Sequence, residues 1–231
     1  HWICIALCIE RHYKELDGFI VIHGTDTLAY TASALSFLLV NLDKPVVLTG
    51  SQLPIFSPRT DARQNFLNAL WVAGYAAVGL PRISEVVVAF GEKLLRGNRC
   101  RKASTSGWQG FDSPNYPALG VLGETVRVHP EMLRPPPAFS QTFRACRELD
   151  DRVLDLTLFP GIRASQVAAL LAQSELRGLV LRAYGSGNAP DDPVLLQALR
   201  ETTQAGKIVV IVSQCQEGLV DLGRYVSSDA L

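Results

Sequence analysis

Thr25 and Asp26 set a hydroxyl and a carboxylate side by side directly after the apolar run Phe19-Ile20-Val21-Ile22, which His23-Gly24 closes. A threonine hydroxyl is a poor nucleophile until a base takes its proton. The carboxylate next in sequence cannot easily reach that hydroxyl in line, so a third group is needed. Lys102, at the end of Arg96-Gly97-Asn98-Arg99-Cys100-Arg101-Lys102, is the candidate. A lysine acts as a base when burial or neighbouring cations lower its proton affinity. Thr25, Asp26 and Lys102 together would form a proton relay for nucleophilic attack. Each also has a structural reading: Thr25 or Asp26 as a helix cap, Lys102 as part of a solvated basic loop. His23 reads as a structural histidine bonded to backbone, and Ser51 and Asp61 as ordinary residues of turns and helix starts.

These residues need elements to hold them. Phe19–Ile22 reads as a buried strand, and leucines at near-helical spacing predict a helix over 27–42 capped by Thr25 or Asp26. Ligands of open α/β sheets bind where strands end and helices begin, which is where Thr25 and Asp26 fall. The pattern continues with a helix over 2–16, a strand at Val46–Thr49 before the turn Gly50-Ser51-Gln52, a helix from Thr60-Asp61 to about Ala77 and a strand at Glu85–Phe90. Residues 96–123 lose this regularity. Residues 131–152, with Pro135-Pro136-Pro137, read as an interdomain linker. Alternation returns with strands at 153–158, 178–182 and 208–212 and helices at 164–173 and 192–206. The predicted fold is α/β: a larger N-terminal α/β domain with a mainly parallel sheet (1–130) and a smaller C-terminal parallel α/β domain (153–231).

Composition narrows the function. The 231 residues are 48% hydrophobic, enough for one large or two small cores. The 22 basic and 22 acidic side chains cancel, and no basic run or aromatic–basic ladder marks nucleic acid or an acidic membrane as a partner. No apolar stretch has the length of a membrane span. Five scattered cysteines fit reduced thiols in a cytoplasmic protein. Cys4 and Cys8, four residues apart, have no further ligand to complete a metal site, so no metal is expected. The glycines of Tyr184-Gly185-Ser186-Gly187-Asn188-Ala189-Pro190 allow close approach to a ligand. No Gly-Lys-Ser/Thr follows them, and no dinucleotide fingerprint occurs.

The box His23-Gly24-Thr25-Asp26-Thr27 after its apolar strand resembles a signature of the asparaginase/glutaminase family, specifically its cytosolic type I L-asparaginases. Further matches follow in order: Lys44-Pro45-Val46-Val47-Leu48-Thr49-Gly50-Ser51-Gln52, Arg96-Gly97-Asn98-Arg99 ahead of Lys102, Ser113-Pro114-Asn115, Tyr184–Pro190 and Ser213-Gln214-Cys215. The resemblance implies hydrolysis of the asparagine side-chain amide to aspartate and ammonia, without metal or cofactor, by a homodimer or homotetramer. It implies a Thr25-Asp26-Lys102 triad, with Asp26 also holding the substrate α-ammonium. A backbone carbonyl at Ser51 would accept from the substrate amide, and Asn188 would reach toward the partner subunit's site.

The family's first threonine signature, whose threonine the resemblance implies as nucleophile, its mobile-loop tyrosine and the serine that binds the substrate carboxylate are expected before His1, and its C-terminal helix after Leu231. Arg101 stands where type I enzymes commonly have threonine, and Ala62 where glycine is common. Two other readings accompany this one. One is a glutaminase-asparaginase or the ammonia-releasing subunit of a tRNA-dependent amidotransferase; the other is a non-catalytic ligand-binding module of the same fold.

Overall fold

The structure, a computed structural model, describes residues 1–222 and divides the chain into two compact units, one of residues 1–149 and one from Asp150 onward. Residues 223–231, the end of the second predicted domain, lie outside the described residues.

In the first unit the order is α1 (Trp2–His12), β1 (Phe19–Ile22), α2 (Leu28–Leu38), β2 (Leu39–Val40), β3 (Val46–Thr49), α3 (Ala62–Ala73), β4 (Val86–Phe90) and β5 (Lys93–Arg96). Short strands follow: β6 (Arg101–Lys102), β7 (Phe111–Asp112), β8 (Gly120–Leu122), β9 (Val126–Val128) and β10 (Arg144–Ala145). Six of them form one sheet in the order β1-β3-β4-β5-β8-β9. β1, β3 and β4 run parallel, and β5, β8 and β9 extend the sheet antiparallel. β3 and β4 are buried at every position, as unbroken apolar runs require when helices cover both faces. On one face Val46, Leu48, Val86 and Val88 meet Leu28 and Leu35 of α2 and Ala6 and Ile9 of α1. On the other, Val47, Val87 and Ala89 meet Ala69 and Val72 of α3.

Several predicted boundaries move, each for a local reason. α1 ends at His12 rather than near Leu16, and the Lys44 ammonium takes the freed carbonyls of Tyr13 and Leu16 at 2.5 and 2.6 Å. α2 ends at Leu38 rather than Leu42, because Leu39–Val40 leaves the helix to pair antiparallel with β10. The irregular 96–123 segment is built from strands too short to display a period. The proline-rich 131–149 stretch packs with the first unit: β10 joins β2, and Arg134 donates its backbone N–H to Glu85 at 2.8 Å.

Glu85 anchors this corner. Its side chain is 3% exposed and pairs with the Arg96 guanidinium through Nε–Oε2 (2.5 Å) and Nη2–Oε1 (3.2 Å). Arg96 also lies over the Tyr116 ring, 4.2 Å from its centroid, and donates to the Met132 carbonyl. Removing one partner of a buried pair leaves an uncompensated charge. Glu85→Ala is therefore expected to cost about 3–5 kcal/mol in urea denaturation; a loss below about 1 kcal/mol would contradict this role.

Burial likewise pushes the Cys100 thiol up to about 12, while Cys4, Cys8 and Cys215 are exposed. The thiolate is the reactive form. In the native protein at pH 8, alkylation mapped by mass spectrometry should mark Cys4, Cys8 and Cys215 and spare Cys100 until the chain is denatured. Equal labelling of Cys100 and Cys4 would contradict the burial.

The second unit carries β11 (Val153–Thr157), α4 (Ala164–Leu171), β12 (Gly178–Ala183), α5 (Pro193–Gln204) and β13 (Ile208–Ser213). The three strands form a parallel sheet in the order β11-β12-β13. Leu179 and Leu181 pack with Val167 and Leu171 of α4 and Leu195 and Leu199 of α5. Asp192 caps α5, accepting from the backbone N–H groups of Val194 and Leu195 at 2.8 and 3.3 Å.

Candidate active site

β1 and β3 end side by side. Ile22 is in register with Thr49, and the His23 N–H donates to the Thr49 carbonyl at 2.8 Å. The two turns that follow, Gly24–Thr27 and Gly50–Leu53, are therefore neighbours at the carboxyl edge of the sheet. Only glycine fits at position 50: a Cβ there would lie 2.2 Å from the His23 carbonyl oxygen.

Neither Thr25 nor Asp26 caps the helix. The N-cap of α2 is Thr27, with no side-chain cap bond. Both side chains instead meet Lys102, whose ammonium donates to Thr25 Oγ1 at 2.8 Å and to Asp26 Oδ1 at 2.5 Å. Lys102 is held at the edge by the pairing of β6 with β7, which sets it opposite Phe111, itself in the core. Its side chain is 20% exposed, whereas that of Asp26 is 92% exposed. The hydrogen bond and charge of Lys102 hold the Asp26 carboxyl below its ordinary range. The pair thus persists above that range and is lost as pH falls through the lowered value.

His23 has a structural part. Its Nδ1 lies 2.8 Å from the Gly24 carbonyl and its Nε2 lies 2.9 Å from Thr31 Oγ1, which also accepts from Trp2 Nε1 at 2.9 Å. A single donor direction satisfies the chain: indole to hydroxyl, hydroxyl to Nε2, Nδ1–H to carbonyl. It ties α1, α2 and the turn before Thr25 together.

The turn at Ser51 is held by Asp61, expected only as an ordinary helix-start residue, and by Asn65, which no sequence motif singles out. Asp61 is the N-cap of α3, yet its carboxylate makes no cap bond. It accepts from the Gln52 N–H at 3.0 and 2.9 Å and from the Leu53 N–H at 3.1 Å; Thr60 Oγ1 takes the Ala62 N–H in its place. Asn65, buried one turn on, donates to the Gly50 carbonyl at 2.9 Å and to Asp61 at 3.1 Å, and accepts from the Gly91 N–H at 3.0 Å. Residues 50, 52 and 53 are tied, while among the described residues no hydrogen bond engages Ser51. A signal existed: Asn65, Asn68, Ala69, Val72 and Ala73 form the buried stripe of α3, and carboxamides in such a stripe need partners.

Asn188 stands in the second unit, where its backbone pairs with Tyr184 in both directions at 2.8 Å, closing the Gly185–Gly187 turn. Among the described residues no three His, Cys, Asp or Glu side chains are grouped to hold a metal ion. None of the described helices is long and apolar enough to cross a membrane.

The arrangement defines a two-unit α/β protein with a threonine–lysine–aspartate cluster at the strand ends of its first unit. Comparison with known families matches residues 1–134 to "Asparaginase, N-terminal" and residues 152–231 to "Glutaminase/Asparaginase C-terminal domain". The chain belongs to the asparaginase family. It is 43% identical to L-asparaginase 1 of Escherichia coli over all of its own length and 66% of that protein's. It is 44% identical to the 60 kDa lysophospholipase of Mus musculus over 95% of this chain and 38% of that protein. The solved structure of L-asparaginase I from Vibrio cholerae covers 99% of this chain with a TM-score of 0.88 at 39% identity, over 68% of the Vibrio chain. The chain thus spans just under two thirds of the length of its E. coli relative.

Proposed function

We propose that the full-length protein is an L-asparagine amidohydrolase, which splits the side-chain amide to aspartate and ammonia. The observation that carries this reading is the Lys102 Nζ bridge between Thr25 Oγ1 and Asp26 Oδ1, 2.8 and 2.5 Å long, in a chain of this family. Thr25, Asp26 and Lys102 are the catalytic residues. The three form a proton relay: Thr25 Oγ1 passes its proton to the Lys102 amine, and Asp26 steadies the ammonium that results. First-turn N–H groups of α2 are donors for the charge that develops on the amide oxygen.

Asp26, Ser51 and Asn188 bind substrate. Asp26 has the exposure needed to take the α-ammonium. The Ser51 carbonyl takes an N–H of the substrate amide, and Asn188 reaches the site of a second copy. The working unit is accordingly a homodimer or homotetramer, and five free thiols fit a cytoplasmic enzyme. The triad lies in the unit of residues 1–149 and Asn188 in the unit from Asp150 onward.

The purified full-length protein should release ammonia and aspartate from L-asparagine in equal amounts. Absence of ammonia would end this reading, and faster release from L-glutamine would shift it to a glutaminase-asparaginase. Light scattering at micromolar concentration should give a dimer or larger; a monomer would remove Asn188 from the substrate site.

A further inference from the structure

We propose that Asp61 and Asn65 are positioning residues that make Ser51 an amide-selective acceptor, so that they set the preference of the site for asparagine over its product aspartate. The proposal rests on the asparaginase reading above. Turn carbonyls and amides ordinarily find partners within the turn or in water. Here α3 supplies a carboxylate and a carboxamide that take the atoms on both sides of one residue. Asn65 holds the Gly50 carbonyl at 2.9 Å, and Asp61 holds the N–H groups of Gln52 and Leu53 at 2.9–3.1 Å.

The clamp is itself anchored. Asn65 is 2% exposed and accepts from the Gly91 N–H, and Thr49 Oγ1 donates to the Ala89 carbonyl at 2.8 Å beneath it. Gln52 adds a tie on the far side, donating from Nε2 to the Gly107 carbonyl at 2.9 Å. With its neighbours fixed, Ser51 keeps a carbonyl that no described residue takes, on the turn beside Thr25. A fixed carbonyl can only accept. It pairs with the N–H of a side-chain amide and meets a carboxylate oxygen as a like partial charge. Charge-assisted bonds from Asp61 give the turn the stiffness such discrimination needs.

Asp61→Asn keeps the shape and one acceptor oxygen but removes the charge and puts N–H at the Oδ2 position, so the Gln52 amide loses its 2.9 Å acceptor and the Asn65 carboxamide faces a second donor. Hydrogen exchange by mass spectrometry on peptides spanning 50–53 of the full-length protein should be faster in the variant. kcat/KM for L-asparagine should fall about 10- to 100-fold, while the inhibition constant of L-aspartate moves by less than about threefold. That split separates positioning from a structural part, which would weaken both together. Asp61→Ala, which lets water reach the freed amides, should give the same split if Asp61→Asn folds poorly. Equal weakening of asparagine and aspartate, or unchanged exchange at 50–53, would overturn the proposal. Faster exchange with unchanged asparagine kinetics would overturn the selectivity part. A wild-type protein that turns over no asparagine would instead overturn the reaction assignment and the selectivity with it, while faster exchange in the variant would still support the clamp.

Discussion

Thr25→Val should reduce turnover of asparagine by about 10³-fold or more while leaving the fold intact. Valine keeps the branched shape at the end of β1 and removes only the hydroxyl. Among the described residues that hydroxyl has one hydrogen-bond partner, the Lys102 ammonium at 2.8 Å, and Thr25 is not part of the buried core. The melting temperature should therefore stay close to wild type, which separates loss of chemistry from loss of structure. Turnover within about threefold of wild type would remove Thr25 from the chemistry, since loss of a member of a relay lowers kcat far more than that.

Substitution of Lys102 should be as severe, and it separates two parts played by one group. Lys102→Met removes both the proton acceptor and the charge beside Asp26. Turnover should again fall about 10³-fold. The Asp26 carboxyl, held down by the Lys102 hydrogen bond and charge, should return upward to its ordinary range, as carbon-13 NMR titration would read directly. Lys102→Arg keeps a positive partner for Asp26 but has no neutral form within reach. It should hold the carboxyl low and still be inactive. An active Lys102→Arg variant would mean that the position supplies charge only, and an unchanged Asp26 titration in Lys102→Met would contradict the ion pair.

The parallel cores were legible because their strands are unbroken apolar runs: Val46–Thr49 and Val86–Phe90 are buried at every position. The second unit was legible through its apolar runs Leu179–Leu181 and Ile208–Val212, with Asp192 and Pro193 marking the start of α5. The antiparallel extension was not, because strands such as Phe111–Asp112 and Gly120–Leu122 are too short to carry a period. Nor was the turn of Leu39–Val40 out of the helical pattern, since its partner Arg144–Ala145 lies more than a hundred residues away. At the site, strand-end position and the family box picked out Thr25, Asp26 and Lys102. What sequence position could not convey is the direction in which a cap-like side chain turns. Asp61 stands at a helix start as a capping residue would and spends its carboxylate on the Ser51 turn instead. His23 follows an apolar strand as a base might and completes a Trp2–Thr31 chain.

The central claim is that Thr25 and Lys102 act on asparagine as one unit, and a double-variant cycle tests it most directly. kcat for L-asparagine would be measured for wild type, Thr25→Val, Lys102→Met and the combination, all in the full-length protein. Members of one relay are grossly non-additive. The double variant should be no more than a few-fold slower than the slower single variant, about 10³-fold below wild type. Losses that multiply, to about 10⁶-fold, would mean that the two side chains contribute independently and that the 2.8 Å contact between them is not the catalytic relay.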